Sequence, residues 1–279
     1  MEAVKNSQVV PVVTKSTSAP VRQNETRYRV ISILSPVIML VFWETLVRTD
    51  ILDKRFFPAP TTVMLVLAEM ISSGEIFDHL FSSLQRIVAG FILGAIPGII
   101  LGMLMGWSRG VRAFLNPIVA ATYPIPKLSL LPLIIILFGI GEMSKIVVVA
   151  IAGFFIVLIT TAAGVRRIDP TLLQAAHNYG AHGRKLFSKV ILPASLPAIF
   201  TGLRLSLGTS LLIIVAAEFV AAKQGIGYLI WLSWSTLSVG EMYAGLVVIA
   251  MLGLLFTTGL ERLGKRLMPW AEDFRERSR

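Results

Sequence analysis

The residues that could do chemistry in this sequence are few, and their spacing argues against an active site. Cysteine is absent, which excludes a disulfide framework, a thiolate nucleophile and a cysteine-based metal site. His177 and His182 lie five residues apart, so they would not share a face of a helix, and we expect no metal site. Residues 259–265 fit G-x-x-x-x-G-K, but Arg266 follows where a phosphate-binding loop needs Ser or Thr. We therefore expect neither a nucleotide site nor catalysis in this chain.

The remaining candidates are charged residues inside apolar segments. Lys127 follows Pro126 in the middle of such a segment, where a cation costs about 2.5–3.5 kcal/mol. It must face a cavity, a carboxylate or an anion, and two roles stay open: helping an anion to pass, or reaching from a broken helix to the membrane interface. For Arg204 and Glu218, an ion pair or a cap is favoured over contact with a substrate. The candidate translocation path consists of Tyr123, Lys127, Arg204, Thr209 and Glu218.

The elements that must position these residues are membrane spans. Hydrophobic residues make up 55% of the chain, charged residues 15%, and the mean hydropathy is +0.76. A soluble domain has about 25% charged residues. We therefore expect an all-α polytopic membrane protein with a membrane domain at 30–269, between an N-terminal tail (1–29) that we expect to be disordered and a C-terminal tail (270–279). A helix needs about 20 apolar residues to cross a bilayer. Six segments qualify: 30–47, 87–107, 113–141, 146–165, 197–222 and 242–260.

The distribution of basic residues predicts the orientation of these spans. Six spans place both termini on one side, and that side carries eighteen Lys and Arg residues in its loops and tails, against five on the other. The richer side is expected to be cytoplasmic. The formal net charge of +10 therefore indicates a multi-pass membrane protein with a basic cytoplasmic side, because the basic residues do not gather on a soluble nucleic-acid-binding domain.

Small residues and prolines predict how the spans pack. Five glycines at a strict spacing of four form one stripe along the second span: Gly90, Gly94, Gly98, Gly102 and Gly106. Such a stripe lets a neighbouring helix backbone approach closely. The third span contains Pro117, Pro124, Pro126 and Pro132, which predict a broken helix. Two roles remain open for this break, lining a path or pure architecture.

The longest cytoplasmic loop, residues 166–193, predicts two short helices. Asp169 can cap a helix that begins at Pro170 and carries Leu172, Leu173 and Ala176 on one side. Gly180 suits a left-handed residue that ends this helix. A second, basic helix would run up to Pro193. Two helices joined by a glycine elbow form a rigid knob, which could transmit force from a soluble partner to the spans.

This loop resembles the signature of the permease subunits of ABC importers, which reads E-A-A-x-x-x-G-A and, about nine residues later, I-x-L-P. Here Gln174-Ala175-Ala176 precedes Gly180-Ala181 at the same offset, and Ile191-Leu192-Pro193 follows; Gln174 replaces Glu. The resemblance implies coupling helices at about 168–190, seated in a groove of an ATPase subunit. The coupling residues it implies are Leu172, Leu173, Gln174, Ala175, Ala176, Tyr179, Gly180, Ala181, Arg184 and Lys185.

Further segments resemble the nitrate, bicarbonate, sulfonate and taurine branch of these permeases, from Phe57 to Pro269. They include 83–91, 124–133, 138–145, 217–219 and 225–229. The resemblance implies a type I importer permease fold and a bacterial inner-membrane location. It also implies a pore made with a second copy of the chain, a periplasmic or lipoprotein solute-binding protein, and separate ATPase subunits that hold ATP and Mg. In the cyanobacterial nitrate and bicarbonate systems that this chain resembles, one ATPase subunit looks fused to a binding-protein-like regulatory domain.

The carried solute is left open by the residues themselves. Nitrate is the preferred substrate by general likeness, with bicarbonate and with sulfonate or taurine as alternatives, because no residue separates them. An alternative of a different class is a secondary transporter that works without an ATPase. That class predicts inverted repeats and intramembrane acids for ion coupling.

Overall fold

The computed structural model describes residues 25–270, all of its regular elements being helices. The predicted N-terminal tail (1–29) lies outside this range except for its last five residues, and the C-terminal tail (270–279) except for Trp270. The helices are α1 (Glu25–Arg48), α2 (Pro60–Ser73), α3 (Glu75–Trp107), α4 (Arg109–Thr122), α5 (Lys127–Phe138), α6 (Glu142–Arg166), α7 (Pro170–Asn178), α8 (Gly183–Ala221), α9 (Ile226–Ser235) and α10 (Val239–Leu267).

The all-α membrane fold is confirmed. Within the described residues, five helices are long and apolar enough to cross a bilayer: α1 from Val30, α3, α6, α8 and α10. The predicted third span is present as α4 and α5, which are bent by 87° at the proline-rich break and qualify as a sixth span when taken together. The described residues divide into two units between Val41 and Phe42, and all contacts discussed below lie within the second unit.

The glycine stripe of α3 lies against the backbone of α6. A Cβ atom at Gly98 would lie 2.9 Å from the carbonyl oxygen of Phe154, and one at Gly102 would lie 2.7 Å from that of Leu158. Gly90 and Gly94 meet the carbonyl oxygens of Ile146 and Ala150, and Gly106 meets the side chain of Val165. The spacing of four thus keeps one glycine facing α6 on each successive turn.

Small residues also join α6 to α8. A Cβ atom at Gly153 would lie 2.6 Å from Ser206 Oγ, and Gly202 of α8 faces Thr160 of α6 in the same way. The hydroxyls of Ser206 and Ser210 are buried without a hydrogen-bond partner. The three helices α3, α6 and α8 therefore form a tightly packed unit whose core includes Ile87, Val148 and Ile214.

Local signals explain the short helix α2. It begins at Pro60 and ends at Ser73, and Gly74 follows with a φ of +83°, the left-handed conformation that glycine adopts readily. Glu44 caps its first turn, since the carboxylate accepts from the Thr61 N–H at 3.1 Å and from the Thr61 hydroxyl at 2.8 Å. In the preceding loop, hydrogen bonds from Arg55 lower the pKa of Asp53.

Candidate functional site

Helix α7 is bounded at both ends by local capping signals. The Asp169 carboxylate accepts from the Thr171 N–H at 2.8 Å, and Pro170 occupies the first helical turn. The helix ends at Asn178, and Gly180 has a φ of +77°. The N–H of Ala181 then donates to the Ala176 carbonyl at 2.9 Å, which closes the turn. These contacts fix the direction in which the chain enters α8.

The two faces of α7 differ from the prediction in one respect. Leu173 and Ala176 pack, with Ala181, against a buried cluster that includes Ile168, Leu186 and Ile191. The prediction that Leu172 lies on the same face is wrong: Leu172 lies outside this cluster and is 46% exposed. Tyr179 is 92% exposed. Leu172, Ala175 and Tyr179 lie at the spacing of one helical face and leave an apolar surface uncovered. Gln174, Arg184 and Lys185 are also exposed.

The two histidines of this loop come together in spite of their spacing. Their rings lie 5.3 Å apart, because the helix ends between His177 and His182 and the chain reverses at Gly180. His177 Nδ1 lies 2.7 Å from the Leu173 carbonyl oxygen. Among residues 25–270, no group of three or more potential metal ligands is found. The pair alone does not supply a metal site.

The second coupling helix is not separate from the fifth span. Residues 183–221 form one helix, with a π-helical stretch at Phe187–Ile191. Pro193 lacks an N–H, and its ring would clash with the carbonyl four residues before it in a regular helix. The wider π turn just before Pro193 accommodates the ring and lets the helix continue. The basic residues after Gly180 therefore belong to the end of a membrane span.

Lys127 lies at the break between α4 and α5. Its ammonium donates to the carbonyl oxygens of Thr122, Tyr123 and Ile125, at 3.1, 2.7 and 2.8 Å. It also lies 4.6 Å from the centre of the Phe155 ring. These bonds use all three ammonium hydrogens and satisfy carbonyls that the broken helix leaves free. The side chain borders an apolar cavity of about 550 Å³ between α3, α4 and α6.

The other residues of the candidate translocation path lie apart from Lys127. Arg204 of α8 forms an ion pair with Glu261 of α10 at 3.1 Å, both side chains being partly exposed. The Thr209 hydroxyl donates to the Leu205 carbonyl oxygen of its own helix at 3.0 Å. Tyr123 is 49% exposed and contacts the Phe155 ring. The structure brings Tyr123 together with Lys127, but not with Arg204, Thr209 or Glu218.

Glu218 belongs to a buried cluster of charges that the sequence reasoning did not identify. The Arg86 guanidinium donates to Glu218 at 2.7 Å and, through its other nitrogens, to both oxygens of Glu142. Lys145 lies 3.5 Å from Glu142. Arg86 and Lys145 have side chains 3% exposed and Glu218 0%, whereas Glu142 is 60% exposed. We call Arg86, Glu142, Lys145 and Glu218 the charge cluster; its two cations balance its two carboxylates.

Comparisons with known proteins agree with this architecture. Residues 98–272 match the family described as binding-protein-dependent transport system inner membrane component. The putative aliphatic sulfonates transport permease protein SsuC of Bacillus subtilis is 34% identical over 263 residues, which cover 93% of this chain and 95% of that protein. The taurine transport system permease protein TauC of Escherichia coli is 35% identical over 250 residues, 88% and 91% of the two chains.

A solved structure shares the fold. An inward-facing conformation of the MetNI methionine ABC transporter matches with a TM-score of 0.55 and 20% identity, covering 67% of this chain and 93% of that one. The match includes most of the neighbour's chain and supports the predicted permease fold. The chain therefore belongs to the family of binding-protein-dependent transport system inner membrane components, the permease subunits of ABC importers.

Proposed function

We propose that this permease subunit carries a small organic sulfonate, such as taurine or an alkanesulfonate, across the bacterial plasma membrane. The observation that carries the proposal is the 34–35% identity, over most of both chains, to permeases named for aliphatic sulfonates and taurine. The preference for nitrate gains no support from these relatives. Nitrate and bicarbonate stay as alternative oxyanions in the substrate test below.

The proposed machine contains further subunits. Two copies of the chain form the path between them, two ATPase subunits bind ATP and Mg on the cytoplasmic side, and a solute-binding protein docks on the outer side. Both termini of this chain are cytoplasmic, as the excess of basic residues on that side predicts. ATP closes the ATPase pair and opens the path outward, and hydrolysis returns it inward. Weak binding in the path suits an importer, because tight binding would slow release.

The exposed face of α7 is the proposed contact with the ATPase. Leu172 on α7 and Tyr179 directly after its last residue expose large side chains, and the helix is fixed at both ends. Exposed aromatic side chains on a rigid element are typical of the residues that dominate binding interfaces. The inner face, with Leu173 and Ala176, packs toward the spans and passes the force on.

A co-purification experiment tests the ATPase contact. The tagged chain is extracted in mild detergent and its partners are identified by mass spectrometry. We expect a stoichiometric ATPase with the native chain, a loss of about tenfold or more with Tyr179→Ala, and no loss with Ile51→Ala. Ile51 is a matched control, since it is 69% exposed in the loop between α1 and α2. ATP-independent transport by the chain alone would instead establish the secondary transporter.

A binding and transport experiment tests the substrate. The solute-binding protein that co-purifies is titrated calorimetrically with taurine, ethanesulfonate, nitrate and bicarbonate. The complete complex is then assayed for uptake of each solute into vesicles. Binding and uptake of a sulfonate support the proposal, whereas binding and uptake of nitrate or bicarbonate alone would contradict it.

A further inference from the structure

The charge cluster connects three helices and the turn after α8, whereas a single ion pair connects only two elements. Arg86 lies on α3, Glu142 and Lys145 lie on the first turns of α6, and Glu218 lies near the end of α8. Arg86 Nη1 also donates to the Gln224 carbonyl oxygen at 2.6 Å, in the turn that follows α8. A planar guanidinium can bridge two carboxylates and a carbonyl in fixed geometry, which an ammonium cannot do.

The same cluster holds the start of α9. The Gly227 N–H donates to Glu218 at 2.8 Å, and the Ile226 N–H donates to Ser83 Oγ at 2.8 Å. Ser83 Oγ in turn donates to the Glu218 carboxylate. The first amides of α9 are thus satisfied by one side chain of α8 and one of α3, so the turn at 222–225 is tied to both helices.

The cluster lies at the junction of two apolar cores. Ile87 and Ala217, the neighbours of Arg86 and Glu218 in sequence, belong to the core of the spans. Ile226 belongs to a second core, which we call the outer core, formed by α2, α9 and the starts of α3 and α10. Its residues are Leu67, Met70, Ile76, Ile226, Leu229, Ile230, Ala244 and Val248.

The opposite end of α8 begins at the α7 elbow. Helix α8 is continuous from Gly183 to Ala221, so Glu218 lies about 50 Å along it from the elbow. The hydrocarbon core of a bilayer is about 30 Å thick. The charge cluster and the proposed ATPase contact are therefore at opposite membrane faces, connected by a single helix.

We propose that Arg86 and Glu218 are positioning residues that transmit the movement of α8 to the outer core. A change in the ATPase at α7 then alters the position of the outer core, at the membrane face where the solute-binding protein docks. Binding of that protein alters the contact at α7 through the same helix. This inference rests on the proposed importer function. A buried ion pair is by itself weak evidence for stability, but leaving Glu218 buried without a partner is costly. We therefore expect α3, α8 and the turn at 222–225 to move together.

The test uses the complete complex in proteoliposomes. ATP hydrolysis is measured with and without the substrate-loaded solute-binding protein, and the ratio of the two rates is the readout. Glu218→Gln keeps the shape of the side chain but removes its charge, and we expect the ratio to fall at least about fivefold. Ser83→Ala leaves the ion pairs intact and removes the hydrogen bonds of the Ser83 hydroxyl with Glu218 and with the Ile226 N–H, so a smaller fall is expected. Glu261→Gln is the control. It removes the ion pair between Glu261 of α10 and Arg204 of α8, and we expect the ratio to stay unchanged.

The outcomes separate coupling from stability. A merely structural role would lower the melting temperature and both hydrolysis rates together at an unchanged ratio, and that result would overturn the inference. An unchanged ratio in both Glu218→Gln and Ser83→Ala would do the same. If Glu218→Gln does not fold, Ser83→Ala decides. A native complex that shows no stimulation by any loaded binding protein would refute the importer function itself.

Discussion

At the scale of single residues, Gly94 lies where the backbones of α3 and α6 touch. A methyl group at this position would collide with the carbonyl oxygen of Ala150, which is part of a helix and cannot swing aside as a side chain can. We expect Gly94→Ala to lower the free energy of unfolding by about 1–3 kcal/mol, the usual cost of overpacking. The melting temperature of the purified protein in detergent measures the effect.

Gly208→Ala is the matched control for this packing effect. Gly208 also lies within a membrane helix, but apart from its chain neighbours and the backbone of its own helix, nothing lies within 4 Å of a Cβ at that position. Alanine favours a helix over glycine by about 1 kcal/mol, so the melting temperature should stay constant or rise. Equal losses of melting temperature in Gly94→Ala and Gly208→Ala would show that the glycine stripe does not determine how closely α3 approaches α6.

Two roles remain open for Lys127, and a comparison of melting temperature with transport rate separates them. Its ammonium satisfies three carbonyl oxygens at the break, so Lys127→Met should lower the melting temperature by leaving them unpaired. Lys127→Arg keeps a cation and should recover part of the loss. A role in anion passage would appear differently, as slower transport by Lys127→Met at an unchanged melting temperature.

At the scale of elements, the elbow after α7 depends on one backbone conformation. Gly180 has a φ of +77°, and apart from its two chain neighbours nothing lies within 4 Å of a Cβ there, so a substitution is strained by its backbone and not by contacts. We expect Gly180→Ala to destabilise the elbow by about 1 kcal/mol and to reduce ATPase co-purification. Gly180→Asn also adds a side chain but tolerates this conformation, so it should retain more ATPase. The reverse order would contradict the role of the elbow.

Elements bounded by local signals were predictable from the sequence. Pro60 and Gly74 mark the ends of α2, and Asp169 with Pro170 marks the start of α7, because each signal acts within one helical turn. The fusion of the second coupling helix with α8 was not predicted. Pro193 predicts the end of a helix, but the π turn at Phe187–Ile191 accommodates the proline ring and the helix continues.

The charge cluster was not predicted because it depends on contacts between residues that are distant in the sequence. Arg86 and Glu218 are 132 residues apart, and only the packing of α3 against α6 and α8 brings them together. A signal was nonetheless present, because a charge at the border of a span needs a partner. Arg86 and Glu142 both lie at such borders, so a search for balanced charges at the outer ends of spans would have suggested the cluster.

At the scale of the whole molecule, the number of spans depends on the bent pair α4 and α5. If the pair crosses the membrane, three crossings separate α2 from the start of α8, and the two lie on opposite sides. If the pair enters and leaves by the same face, only two crossings remain, and both lie on the same side. The bend of 87° is compatible with either path by geometry alone.

The absence of cysteine makes the native chain a ready background for deciding this. Ser72 on α2 and Ser188 on α8 are exposed, and each can be replaced singly by cysteine. A maleimide that cannot cross membranes should label Ser72→Cys in cells whose outer membrane is permeable, and should label Ser188→Cys only after the inner membrane is opened. Labelling of both from outside would reduce the spans to five.

The tails extend the same experiment to the termini. Ser7→Cys and Ser278→Cys should both be protected until the inner membrane is opened, because six crossings return the chain to the side rich in Lys and Arg. With five crossings, one tail would be labelled from outside and the other would not. Agreement between the loop pair and the tail pair tests the parity of the crossings twice, and a disagreement would place the error in α1, α8 or α10, the spans that the tails include and the loop pair does not.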